Sequence, residues 1–224
     1  MLPLLHEIFS SRSILTKEGV RLPLRSHLPL VDGQLLQAWL VEYRPKRALE
    51  IGMAYGISSL FICDALTQIG AFDYHIVDPF QHTDWCSVGV ANMKRAGFED
   101  AFVLHVEPSE LCLPVLLGQQ ARFDFAFVDG FHTFDHALVD FFFVNRMLDV
   151  GGIVIFDDLQ LPSIQKLMAH IATYPCYRPL PLPGDWESQS AVRVRRLINS
   201  PLTRIGGFIK IVDDKRSWSW HHDF

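Results

Sequence analysis

From residue 48 to residue 156 the chain alternates short apolar runs with longer stretches of helical periodicity, and this alternation limits the fold more than any other feature. The apolar runs at 48–51, 74–77, 101–106, 123–128 and 153–156 have strand length. Between them, 57–66, 90–96, 111–117 and 133–148 carry apolar residues at helical spacing and close on Gly70, Gly97, Gly118 and the Gly151-Gly152 pair. The run Ile153, Val154, Ile155, Phe156 has no polar member. Such a strand needs cover on both faces. Repeated strand–helix units of this kind predict an α/β fold with a doubly wound, mainly parallel sheet.

The flanks extend this plan. Leu35, Leu36, Trp39 and Leu40 predict a helix over 34–43 that Asp32 caps and Pro45 follows. After residue 160 a helix is expected at 163–174 and strands at 177–182 and 207–212, which brings the sheet to seven. A long loop or lid, with Pro183, Gly184, Asp185 and Pro201, is expected between the last two strands. Residues 1–30, broken by Pro3, Pro23 and Pro29, are expected to form an irregular arm or cap, with one domain over 31–224.

Composition narrows the function classes. A net charge of −5 offers no basic patch for nucleic acid or an anionic membrane. No window reaches the ~18 apolar residues of a membrane span, and the N-terminus has no secretory pattern. The four cysteines, Cys63, Cys86, Cys112 and Cys176, form no CxxC pair. They are expected to be reduced thiols in a cytoplasmic protein.

The turn after the first strand reads Leu49-Glu50-Ile51-Gly52-Met53-Ala54-Tyr55-Gly56. Glycines here let a ligand approach the backbone closely. A dinucleotide fingerprint would require glycine where Ala54 and Ile57 stand, and no phosphate loop of the GxxxxGK[ST] type occurs. The pattern ExGxxxG resembles motif I of class I S-adenosylmethionine-dependent methyltransferases. Glu50 is expected to suit the ammonium group of that cofactor, with Gly52, Ala54 and Gly56 forming the turn around it. Asp78, 26 residues past Gly52 and at the end of the second strand, is expected to accept hydrogen bonds from the ribose hydroxyls. Ser109 falls where the family contacts adenine. The alternative for Gly52 and Gly56 is a tight turn with no ligand.

Two acidic sites end strands four and five: Asp129 in VDG, and Asp157-Asp158 in FDD. Adjacent strands lie ~4.8 Å apart, so these carboxylates are expected to converge beyond the strand ends. Close carboxylates repel unless a cation compensates them, and oxygen ligands favour Mg²⁺ or another hard divalent cation. The alternative for Asp157-Asp158 is a cap on the next helix.

The segments DGQLL (32–36), LEIGMAYG (49–56), VDPF (77–80), VDGFH (128–132) and GGIVIFDD (151–158) together resemble the methyltransferase branch related to catechol and macrolide-sugar O-methyltransferases. The resemblance covers about residues 32–166. It implies a Rossmann-like methyltransferase fold, S-adenosylmethionine as cofactor and methyl transfer to the oxygen of a small hydroxylated acceptor. In metal-dependent relatives, residues matching Asp129, Asp157 and Asp158 hold a divalent cation. The sequence departs from the branch in two places. Asp158 stands where catechol-type enzymes have asparagine. Their lysine base is matched by His132, and the aspartate base of some sugar-modifying relatives is matched by Phe131. His132 is therefore the candidate base, since an imidazole is the side chain suited to taking up a proton at physiological pH, with Asp129 beside it at the reacting centre. His132 and His136, four apart, also form a potential metal pair; for His136 the alternative is packing or solvent.

The acceptor itself is not legible. Phe80, Trp85, Trp186, Trp218 and Trp220 are candidates for lining its pocket, or for packing. A homodimer is left open. Two rival functions remain: a nicotinamide-dependent oxidoreductase, and a non-catalytic module that keeps the fold.

Overall fold

The computed structural model describes residues 1–184, 186 and 204–223. Asp185 and Pro201 of the expected lid lie outside the described residues.

Five adjacent parallel strands make up most of a seven-stranded sheet: β3 (Arg47–Ile51), β4 (Asp73–Val77), β5 (Val103–His105), β6 (Phe123–Val128) and β7 (Leu148–Phe156). The order is β5-β4-β3-β6-β7-β9-β8, with β8 (Tyr177–Pro179) and β9 (Gly206–Lys210) at the far edge. β9 runs antiparallel to β7. From β3 the chain first winds outward through β4 and β5, then returns to β6 on the other side. The reversal between β3 and β6 opens a crevice at the carboxyl ends of the strands, where α/β sheets bind ligands.

Strand alternation divides the core in two. Ala48, Tyr74, Ile76, Phe125 and Phe127 face a cluster that holds α2 (Leu30–Tyr43) and α3 (Ile57–Ile69). Leu49, Ile51, Val77, Ala126 and Val128 face the opposite cluster, with α5 (Ser109–Gly118), α6 (Phe134–Met147) and α7 (Pro162–Ala172). Helix α4 (Val88–Arg95) lies between β4 and β5 in the chain.

Three local expectations are corrected. Residues 1–30 are not irregular: α1 (Pro3–Ser11) precedes a hairpin of β1 (Ser13–Leu15) and β2 (Arg21–Pro23), and Leu5, Ile8 and Ile14 bury themselves in the α2/α3 cluster. Asp32 does not cap α2. The helix starts two residues earlier, after Pro29, and Asp32 sits fully buried in its first turn. Gly151-Gly152 does not end α6. The helix stops at Met147, and β7 begins at once because Leu148 pairs with Phe123. A register shift between Phe123 and Phe125 absorbs the extra residues, with Gly151 at φ +90°.

Candidate active site

Register builds the site. Val77 pairs with Ile51, Ile51 with Val128, and Val128 with Phe156. The next residues on each strand are therefore Asp78, Gly52, Asp129 and Asp157, in one row across the sheet edge. Backbone bonds extend the ladder through this row: Gly52 N–H donates to Val77 O at 2.9 Å, Asp129 N–H to Ile51 O at 2.8 Å, and Asp157 N–H to Val128 O at 3.1 Å. All four residues line one cavity of about 470 Å³, a size that suits a small organic ligand.

The glycine-rich turn forms the floor of this cavity. Gly52 has φ +93° and Gly56 φ +75°, and Ala54 also lies in the left-handed region at +48°. Asp78 holds the turn. Its Oδ2 accepts the N–H groups of Met53 at 3.1 Å and Ala54 at 2.8 Å, and its Oδ1 accepts Phe80 N–H at 2.9 Å. Asp78 is 2% exposed, so both oxygens are already engaged by the protein as well as bordering the cavity. Ser109, the first residue of α5, borders the cavity and hydrogen-bonds to Asp140 of α6.

Glu50 is elsewhere. On β3 its neighbours Leu49 and Ile51 face one cluster, so alternation turns Glu50 toward α3. Fully buried, it accepts Ser59 Oγ–H at 2.6 Å and Tyr74 O–H, and it does not border the cavity. This corrects the expected contact with a cofactor ammonium. Burial pushes its carboxyl up to about 7.

Asp129, Asp157 and Asp158 do come together. Burial, then Asp157, Asp158 and Glu50, push Asp129 well above the carboxylate range. Asp157, 7% exposed, is pushed up to about 7, mainly by burial, and its Oδ1 has no hydrogen-bond partner among the described residues. Asp158 sits at φ +57°, and its Oδ2 is 3.2 Å from His132 Nε2. One ligand atom each from Asp129, His132 and Asp158 falls within a 4.8 Å set. Such a set fits a small cation. Neither aspartate caps α7, whose N-cap is Leu161.

His132 precedes α6 and is pinned by Ser163 Oγ–H, which donates to its carbonyl at 2.5 Å. His136 is no partner for it in a metal pair. Its Nδ1 lies 3.1 Å from Thr133 Oγ1 and its ring packs on Phe131. Of the aromatic candidates, Phe80 and Trp85 border the cavity. Trp186 packs against the α2/α3 cluster, Trp220 packs on Tyr174, and Trp218 is fully exposed. Sequence reasoning missed Ser26 and His27 from the N-terminal segment, Pro108 and Glu110 on either side of Ser109, and Arg204 just before β9. None lies in a periodic stretch or a motif.

A methyltransferase-domain family model matches residues 49–159, about half of the chain. The caffeoyl-CoA O-methyltransferase of Stellaria longipes is 29% identical over 133 residues, 56% of this chain and 51% of that protein. The Populus kitakamiensis enzyme of the same name is 27% identical over 137 residues, covering 58% and 54%. The chain thus spans about half the length of these curated relatives. Among solved structures, an S-adenosylhomocysteine-bound methyltransferase of Podospora anserina superposes with a TM-score of 0.67 at 18% identity, over 95% of this chain and 89% of that one. An O-methyltransferase of Bacillus cereus in complex with S-adenosylhomocysteine gives 0.64 at 17%, over 79% and 82%.

Proposed function

This chain belongs to the class I S-adenosylmethionine-dependent methyltransferases, and from that premise we propose that it methylates an oxygen of a small hydroxylated molecule with help from a divalent cation. The observation that carries this reading is the row Asp78, Gly52, Asp129, Asp157, which opens a turn and a carboxylate cluster into the same cavity.

S-adenosylmethionine supplies an activated methyl group, so the protein must align the acceptor oxygen with it and remove one proton. Gly52 and Ala54 give the cofactor room against the backbone. Asp78 shapes that surface, and Ser109 borders its adenine end. We assign Asp129, Asp157 and Asp158 as the cation's ligands. The unpartnered Oδ1 of Asp157, and the closeness of Asp129 and Asp158 in a 4.8 Å set that also holds His132, support the fit. A cation held there would supply Lewis acidity, lowering the pKa of an acceptor hydroxyl. His132 takes the proton. Asp158 Oδ2 lies 3.2 Å from its Nε2.

We assign residues 1–30 as a cap on this site, supported by Ser26 and His27 at the cavity. Phe80 and Phe131, 5.9 Å apart and edge to face, suit the flat apolar body of an acceptor. The buried free thiols of Cys63, Cys112 and Cys176 favour a reducing cytoplasmic setting. No described helix is long and apolar enough to cross a membrane.

Calorimetric titration with S-adenosylhomocysteine, in Mg²⁺ and again in chelator, tests the reading. Saturable micromolar binding at one site per chain is expected. No binding in either buffer would overturn it.

A further inference from the structure

The cavity joins two opposite chemistries. Its carboxylate end is Asp129, Asp157 and Asp158. Beside that end stand a guanidinium, an imidazole and a hydroxyl: Arg204, His27 and Ser26. These three come from outside the strand–helix units that build the rest of the site. They are brought there by two separate segments, the link from β2 to α2 and the approach to β9.

Arg204 is anchored through its backbone. Its N–H donates to Asp32 Oδ2 at 3.3 Å, and its carbonyl accepts Leu159 N–H at 2.8 Å. Its side chain is exposed, and among the described residues it makes no ion pair or hydrogen bond. Its charge is nonetheless felt by three neighbours. It opposes the upward push on the Asp32 and Asp157 carboxyls, and adds to the burial that lowers the pKa of His27. The cation therefore lies close to the acidic end without being consumed by it. A guanidinium whose fork no described residue engages, on the wall of a cavity, is suited to a planar anion, which it binds through paired N–H donors.

Resting on the methyltransferase reading above, we infer that Arg204, with His27 and Ser26 beside it, forms an anion subsite that binds a carboxylate on the acceptor, so that the acceptor is a hydroxylated acid. Its hydroxyl faces Asp129 and Asp158 while its carboxylate faces Arg204. The two ends then fix the direction in which the molecule enters. The cofactor also carries a carboxylate, and the same chemistry would serve it; the assignment here is to the acceptor.

The test uses the full chain with S-adenosylhomocysteine and Mg²⁺ present, and two probes of one shape, 3,4-dihydroxybenzoate and the neutral 3,4-dihydroxybenzamide. Wild type is expected to bind the benzoate at least tenfold more tightly, the scale of one charge-assisted hydrogen bond. Arg204→Gln, checked by thermal melting for an intact fold, is expected to abolish that preference without weakening S-adenosylhomocysteine. Arg204→Lys keeps the charge and gives up the fork, and should retain part of the preference. Equal binding of the two probes by wild type overturns the inference. So does a preference that survives in Arg204→Gln, or an equal loss of both probes, which would make Arg204 a mere screen for the aspartates. Tenfold weaker S-adenosylhomocysteine in Arg204→Gln would move the subsite to the cofactor and also overturn it. If S-adenosylhomocysteine fails to bind wild type, it is the methyltransferase reading that falls; if it binds and neither probe does, only this inference falls.

Discussion

A Cβ added to Gly52 would lie 2.0 Å from the carbonyl oxygen of Asp129. The turn after β3 and the end of β6 thus touch through backbone alone, and Gly52 at φ +93° has no room to rotate away. Gly52→Ala must either push Asp129 off its strand or flatten the turn. We expect it to cost more than about 2 kcal/mol, from the left-handed backbone plus the clash. Any protein that still folds should bind S-adenosylhomocysteine at least tenfold more weakly. Thermal melting and calorimetry measure both, and a variant of normal stability and affinity would disprove the contact.

Asp78 tests the turn from the other side. Its carboxylate accepts three backbone N–H groups, from Met53, Ala54 and Phe80. Asp78→Ala leaves all three without that acceptor. Each buried unpaired N–H costs about 1–3 kcal/mol. The expected outcome is at least a tenfold loss of S-adenosylhomocysteine affinity with a lower melting temperature. Asp78→Asn keeps one acceptor oxygen and should fall between. Unchanged affinity in Asp78→Ala would remove this carboxylate from the cofactor's surroundings.

The legible part of this protein is the part that repeats. Short apolar runs and the helical stretches between them locate β3, β4, β6 and the core of β7 within a residue or two, and with them the row of residues that follows each strand. Position at a strand end is a sequence property once the strand is known, so Asp78, Asp129 and Asp157 were found together. Side-chain direction was less visible. Glu50 lies in the same motif as Gly52, yet strand alternation turns it under α3. Asp32 resembles a helix cap only because the sequence pattern starts the helix at residue 34, four residues after its actual start at Leu30. The acceptor end is legible only in Phe80 and Trp85, which border the cavity. Ser26, His27 and Arg204 reach it through irregular chain, where no period tells which side chains meet.

His132 and Asp158, 3.2 Å apart, separate two roles that geometry alone allows. If His132 takes the acceptor's proton, His132→Ala should lower turnover by ~10²–10⁴ and leave Mn²⁺ affinity unchanged. Asp158→Ala should lower both. Electron paramagnetic resonance of bound Mn²⁺ measures the affinity, and transfer of labelled methyl measures turnover. A parallel fall in Mn²⁺ affinity for His132→Ala would make the histidine a ligand instead of a base.

Asp140 gives a pH signature outside the carboxylate cluster. It is 1% exposed on α6, hydrogen-bonded to Ser109, with Oδ1 unpartnered among the described residues, and burial raises its carboxyl from 3.8 to about 6. A raised folded-state pKa means that the folded protein holds this proton more tightly than the unfolded chain does. Its contribution is therefore fully present below pH 3.8 and is lost as pH rises to about 6. The loss is about 3 kcal/mol, at about 1.4 kcal/mol per pH unit. Asp140→Asn cannot ionise and keeps a hydrogen-bonding group for Ser109. Its stability relative to wild type should therefore increase across that window and level off above it. Denaturant unfolding of both proteins between about pH 4 and 8 provides the curve. A difference that stays flat throughout would show that Asp140 titrates alike in the folded and unfolded chain.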